Sequence, residues 1–215
     1  METARLGRSS YRLCYYSTSI VVVLAPWRSL LTHALYRNRS LPSARYLQLA
    51  TLGLDGLPRN RTVVFRGFRE ETNQLQMVTD SRSEKYQQIL QQPWGEICWY
   101  FPKTREQFRL RGQLLIVSVD NTDSNLSTAR SLAWQQLSDA ARIQFAWPEP
   151  QQALTEDKDA FKPLYINKEI PLDNFCLLLL DAVEVDHLEL RGDPQNRYIY
   201  TLDESFNWSC QQVNP

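Results

Sequence analysis

Two arginines bracket the short apolar run Arg61-Thr62-Val63-Val64-Phe65-Arg66, and Thr79, Ser81, Ser83 and Lys85 follow closely after it. A phosphate monoester carries about −1.5 to −2 charges near neutral pH, with three acceptor oxygens. A guanidinium fork, an ammonium group, hydroxyls and the free N–H groups of a helix start are the groups that hold such an anion. Taken singly, these residues have plainer roles: Ser81 caps a helix, Arg82 and Lys85 are solvated, and Arg66 pairs with an acid. As a cluster they point equally to a phosphate cradle.

A second polar group lies on Gln107-Phe108-Arg109-Leu110-Arg111-Gly112. Alternation puts Gln107, Arg109 and Arg111 on one face of a strand, with Phe108 and Leu110 on the other. A buried glutamine both donates and accepts, which suits the edge of a planar ring such as a flavin. The plainer reading is the polar outer face of an antiparallel strand.

These residues must be positioned by the elements around them. Apolar residues at Trp27, Leu30, Leu31, Ala34 and Leu35, behind Pro26, predict an amphipathic helix over Trp27–Arg39. Arg45–Thr51 alternates as a strand, Asp55-Gly56 signals a hairpin, and Arg61–Arg66 returns as its partner. Leu75–Thr79 reads as a third strand. Ser81 and Glu84 have the spacing of a capping box, opening a helix that stops before Pro93. Strands are expected at Glu96–Phe101, Gln107–Ser118, Phe175–Val185, Arg197–Leu202 and Trp208–Val213, with a helix over Ser124–Leu137. A stretch containing Pro148, Pro150, Pro163 and Pro171 reads as a long surface loop. Many strands with a few inserted helices predict a mainly β barrel with flanking helices rather than a βαβ sheet.

Composition removes several alternatives. Lys+Arg and Asp+Glu both number 24, so the chain is neutral overall and no bulk polyanion such as a nucleic acid is expected as partner. Four widely spaced cysteines without a C-x-x-C pair read as reduced thiols in a cytoplasmic protein. Only His33 and His187 are present, so neither a histidine-rich metal site nor zinc-type Cys/His spacing exists, and no metal is expected. Seven glycines form no Walker loop and no G-x-G-x-x-G.

Near the start, Arg5, Arg8 and Arg12 precede an apolar stretch whose longest unbroken run is Ile20–Ala25. That is far short of the roughly 20 residues needed to span a bilayer, so no membrane partner is expected. Residues 1–25 read as a disordered tail or an over-extended gene start rather than a secretory signal, and 26–215 as one domain.

In order and spacing, Arg61–Arg66, Thr79, Ser83 with Lys85, Tyr100-Phe101-Pro102, and Gln107 before a strand ending at Gly112 resemble the pyridoxamine 5'-phosphate oxidase family. Asn196-Arg197-Tyr198-Ile199-Tyr200 is similar to that family's last basic segment. Pro-Trp-Arg-Ser-Leu near the start and Phe-Ala-Trp-Pro-Glu-Pro at 145–150 resemble a cyanobacterial-type branch of it. The resemblance implies a split β-barrel that binds flavin mononucleotide (FMN) and forms a homodimer with the flavins at its interface. By position it implies Arg61, Thr79, Ser83 and Lys85 on the phosphate and ribityl side. Val64 and Arg66 fall beside the ring, with Gln107 and Arg197 reaching in from the other subunit.

Departures from the family bear on activity. Glu84 stands where the family has a basic residue before the lysine. Val185-Asp186-His187 replaces a tryptophan near the flavin. Asp193 and Gln195 stand where the oxidase grips its substrate's phosphate with an arginine and a histidine. The expected function is therefore an FMN-dependent oxidoreductase of unknown substrate that acts poorly on pyridoxamine phosphate. A non-catalytic flavin-sensing module, or a haem-binding barrel with His187 as axial ligand, is the alternative.

Overall fold

The computed structural model describes residues 24–162 and 165–215, and most of the expected tail lies outside them. Helix α1 spans Pro26–Asn38, opened by its proline at the first turn, and buries Trp27, Leu31 and Ala34. Ala25, expected in the tail, instead belongs to the packed part. It is 3% exposed, and its N–H donates to Asn73 Oδ1 at 2.9 Å.

The strands are β1 (Tyr46–Leu52), β2 (Pro58–Val64), β3 (Gly67–Phe68), β4 (Leu75–Asp80), β5 (Trp94–Phe101), β6 (Glu106–Val117), β7 (Phe175–Glu189), β8 (Asn196–Leu202) and β9 (Trp208–Val213). Helix α2 covers Glu84–Gln91, α3 Ser124–Gln135 and α4 Asp139–Ile143. All pairings are antiparallel, in one sheet ordered β2-β1-β5-β6-β7-β4-β3. Strand β1 alternates as expected, with Leu47, Leu49 and Thr51 inward.

Strand β7 is the axis of the fold. One edge pairs with β6 along nearly its whole length. The other is divided, with Phe175–Leu180 against β4 and Glu184–Glu189 against β8. That division splits the barrel. A bulge opposite Arg111/Gly112 leaves Val183 unpaired and reverses the alternation, so Val185 and His187 turn inward where a regular strand would turn them out. Gly112 is required there, because a Cβ would run into the Asp181 carbonyl oxygen and lie 2.7 Å from Ala182 Cα.

The main core fills the barrel with Trp27, Leu47, Leu49, Phe65, Trp99, Phe101 and Phe108 among others. A second core lies between the sheet and α3, around Trp134, Phe175, Leu177 and Leu179. The proline-rich stretch is not merely a surface loop. It contains α4, and its Phe145 ring packs on Trp134 and Phe175 in the second core. Among the described residues no helix is long and apolar enough to cross a membrane, and Cys98, Cys176 and Cys210 are free thiols.

Candidate functional site

A cleft of about 560 Å³ opens where the ends of β2 and β4, the start of α2 and residues 141–161 meet. Val64, Arg66, Thr79, Ser83 and Lys85 all line it, so the fold brings together five of the residues expected to bind a cofactor.

Strand parity explains the grouping. Thr62 and Val64 project from the outer side of β2, and Arg66 follows in the same phase, its backbone N–H donating to the Gln76 carbonyl at 2.8 Å. Arg61 has the inward phase of Val63 but, unlike Val63, does not line the cleft. Its guanidinium turns back onto the protein, donating to Thr51 Oγ1 (2.6 Å), the Leu49 carbonyl (3.2 Å) and Gln88 Oε1 (2.8 Å). The structure therefore gives Arg61 a supporting place behind the cleft. Even so, its charge acts on Lys85.

Lys85 Nζ donates to Ser83 Oγ at 3.1 Å, and Ser83 Oγ lies 3.3 Å from Thr79 Oγ1, so ammonium and hydroxyls form one line along the floor. Burial, reinforced by the Arg61 charge, lowers the Lys85 pKa below the usual lysine value, while Asp80 opposes the shift. Arg66 is half-buried, its guanidinium has no hydrogen-bond or ion-pair partner among the described residues, and its Nε is fully enclosed without an acceptor. An enclosed guanidinium N–H is costly unless an anion or acceptor completes it.

The expected capping box is not formed. Helix α2 begins at Glu84 behind Ser83, and Ser83 Oγ donates to the Asp80 carbonyl instead of capping. The cause is local. Asp80 accepts the Arg82 backbone N–H in an Asx-type turn, which occupies Ser81 and Arg82 before the helix can start. The first N–H groups of α2 are left without a side-chain cap. Arg82 is not solvated either, since it grips Asp80 and reaches two backbone carbonyls of the opposite wall.

That wall was not legible in the sequence as part of a site. Trp147, Glu149 and Gln151 come from the proline-rich stretch and line the cleft opposite the hydroxyls. The run Phe-Ala-Trp-Pro-Glu-Pro at 145–150 was the signal there, and its prolines mark a rigid segment without saying what it faces.

Gln107 and Arg197 are placed elsewhere. Both stand on the outer sheet face in one row with Leu188, and neither lines the cleft. Arg197 forks onto Asp186, with Nε–Oδ1 3.0 Å and Nη2–Oδ2 2.7 Å.

His187 is wholly buried, its ring stacked on Phe108 at 4.0 Å and its Nε2 2.9 Å from Glu106 Oε2. Phe108 covers one ring face and Glu106 engages Nε2, so His187 as placed has no solvent-open nitrogen to offer an axial ligand site. Glu106, His187 and Glu189 offer ligand atoms within 4.8 Å of one another. A metal on Nε2 would put the proton on Nδ1, which is buried without an acceptor. Metal-bound histidines ordinarily donate that second N–H, so the cluster reads as a hydrogen-bonded pair with a neighbouring acid.

The residues around the cleft fit FMN: hydroxyls and an ammonium for its phosphate, an unpartnered guanidinium, and the apolar side chain of Val64. Comparison with known proteins agrees. Residues 24–118 match the family described as pyridoxamine 5'-phosphate oxidase, FMN-binding domain. Over 195 residues, 89% of this chain and 98% of the relative, the sequence is 35% identical to pyridoxine/pyridoxamine 5'-phosphate oxidase 2 of Arabidopsis thaliana. A crystal structure of a pyridoxamine 5'-phosphate oxidase-related, FMN-binding protein from Nostoc punctiforme PCC 73102 is 57% identical. It superposes with a TM-score of 0.88 over 90% of this chain and 100% of that one. PhzG from Burkholderia lata 383, only 18% identical, shares the fold at a TM-score of 0.71 over 90% of this chain and 98% of its own. By its cleft, its split barrel and these relationships, the chain belongs to the pyridoxamine 5'-phosphate oxidase family of FMN-binding split-barrel proteins.

Proposed function

We propose that the protein is a homodimeric FMN-dependent oxidoreductase whose substrate is a small molecule other than pyridoxamine phosphate. The observation that carries this reading is Arg66: a half-buried guanidinium in the cleft with no partner among the described residues, beside the Lys85–Ser83–Thr79 line. In this reading Lys85, Ser83 and Thr79 hold the phosphate and Val64 supports the ring. Arg66 sits beside the ring, and Arg61 keeps Lys85 and α2 in place from behind. FMN, when bound, supplies the electron-transfer chemistry, and the chain supplies binding, orientation and charge near the ring.

A second subunit is supported by the outer face of β1 and β5, where Tyr46, Leu52, Trp94 and Tyr100 are 40–48% exposed on one side of the sheet. Gln107 and Arg197 lie on the outer sheet face too, and in this reading they approach the partner's flavin.

The substrate argument is electrostatic. Asp193 is exposed, and the two arginines that could replace a lost phosphate grip are engaged. Arg111 pairs with Glu184 at 2.7 Å, and Arg191 donates to the Lys103 carbonyl at 2.6 Å. The first test is the absorbance spectrum of the purified protein and identification of the released cofactor. The second is an oxidase assay with pyridoxamine phosphate and pyridoxine phosphate on flavin-loaded protein. A kcat/KM at or above about 10⁴ M⁻¹s⁻¹, the low end for ordinary enzymes, overturns the substrate assignment. Absence of turnover with any small-molecule donor under oxygen favours the sensing alternative.

A further inference from the structure

The opposite wall of the cleft is held by a network that the flavin reading does not use. Arg82 Nε donates to Asp80 Oδ1 at 3.0 Å and Nη2 to Asp80 Oδ2 at 2.7 Å, a bidentate pair that fixes the guanidinium plane. The remaining donors point across the cleft's end, Nη1 to the Trp147 carbonyl (2.9 Å) and Nη2 to the Phe145 carbonyl (3.0 Å). Asn174, just before β7, closes the ring by donating to Asp80 Oδ2 and to the Phe145 carbonyl, each at 2.8 Å. Three segments distant in sequence are therefore joined through Arg82 and Asn174, both held by the Asp80 carboxylate.

What this network secures is the backbone on which Trp147 stands. Phe145 is anchored separately by its ring in the second core. Among the described residues, the wall from Trp147 onward is tied to the rest of the protein only sparsely. Gln151 Nε2 reaches Glu84 Oε2 at 3.4 Å, and Phe161 packs edge-on to Trp147 at 5.9 Å. The last strong tether before the wall crosses the cleft is thus Arg82. A lysine there could not reproduce it, because a single ammonium cannot fork onto a carboxylate while reaching two carbonyls in its plane.

We infer that Arg82 is a positioning residue for the flavin cleft. Locked on Asp80, it fixes the Phe145–Trp147 backbone so that Trp147 and the residues after it form the wall opposite Thr79, Ser83 and Lys85. This inference rests on the flavin reading for its consequence, but the latch itself is independent of that reading.

The test compares the parent with Arg82→Lys, Arg82→Gln and the double variant Asp80→Asn/Arg82→Gln, which leaves no unpaired carboxylate behind. Two quantities are measured: dissociation constants for FMN and for riboflavin, and the rate of tryptic cleavage after the exposed Lys158. A displaced wall should weaken both flavins by a similar factor of at least ten and speed cleavage at least tenfold, with Lys no better than Gln. Equal loss for riboflavin separates this role from a lost phosphate contact. A folded variant, single or double, that keeps parental flavin affinity overturns the inference even if its melting temperature falls. If the parent binds neither flavin, the flavin reading fails, and cleavage after Lys158 alone decides the latch: unchanged cleavage overturns it, and faster cleavage supports it.

Discussion

Lys85 Nζ stands 3.1 Å from Ser83 Oγ, and that hydroxyl is 3.3 Å from Thr79 Oγ1, so one cation orders two hydroxyls at the mouth of a helix. Charge-assisted hydrogen bonds of this kind contribute about 1.5–3 kcal/mol. Lys85→Ala should therefore weaken FMN binding by about tenfold to a hundredfold, at 1.4 kcal/mol per factor of ten. Riboflavin has no phosphate, so its affinity should be nearly unchanged. Calorimetric titration of both flavins checks this, and equal losses for the two would contradict a phosphate role.

Arg66→Gln removes the unpartnered cation while keeping similar bulk. A positive charge beside the ring favours the reduced, anionic flavin, so its loss should lower the reduction potential of bound FMN. A shift of roughly 30 mV corresponds to 1.4 kcal/mol for two electrons. Spectroelectrochemical titration should show a drop of about that size or more. An unchanged potential would place Arg66 away from the ring.

Glu106 links stability to acid pH. Burial pushes its carboxyl up, but hydrogen bonds from His187 and Thr104 outweigh burial and hold it below the ordinary value of 4.5. A folded-state pKa below the unfolded one means the contribution is complete above about pH 4.5 and disappears as pH falls through the folded value. Glu106→Gln should cost about 1.5–3 kcal/mol near neutral pH. The gap between parent and variant should narrow below pH 4.5 in urea titrations. A gap independent of pH would show that the carboxylate charge contributes nothing.

Gly112→Ala should be among the more damaging small substitutions. The added methyl meets the backbone at Asp181 and Ala182 rather than a side chain that can swing aside. Overpacking of this sort costs about 3 kcal/mol at the upper end of its usual range. A melting curve within a degree or two of the parent's would show that the bulge relaxes at no cost.

Period-two alternation made most of the fold readable. Strand β9 was predicted at Trp208–Val213 and lies there, and β1, β5 and β6 fall within two residues of expectation. Strand β7 was expected to stop at Val185, yet it runs to Glu189, because the bulge at Val183 breaks the alternation on which the reading depends. The cleft was half legible. Thr79, Ser83 and Lys85 sit at a strand end and helix start, a local arrangement that spacing encodes. Arg61 lies behind the cleft, because types and spacing do not reveal that its guanidinium folds back onto Thr51 and Gln88. Arg82, Trp147 and Gln151 come together only through tertiary pairing, and no local signal announces that.

Strand β7 also carries a mechanical consequence. Before the bulge, its even-numbered residues Leu178, Leu180 and Ala182 belong to the barrel core, and its odd-numbered Phe175, Leu177 and Leu179 to the core under α3. Two hydrophobic interiors thus share one partition, with a side chain from every other residue committed to each. Neither interior can melt while the other keeps its order, because loosening the partition exposes both at once. The molecule should unfold as one cooperative unit, and the amides of Leu177–Leu180 should be the last in the chain to exchange with deuterium.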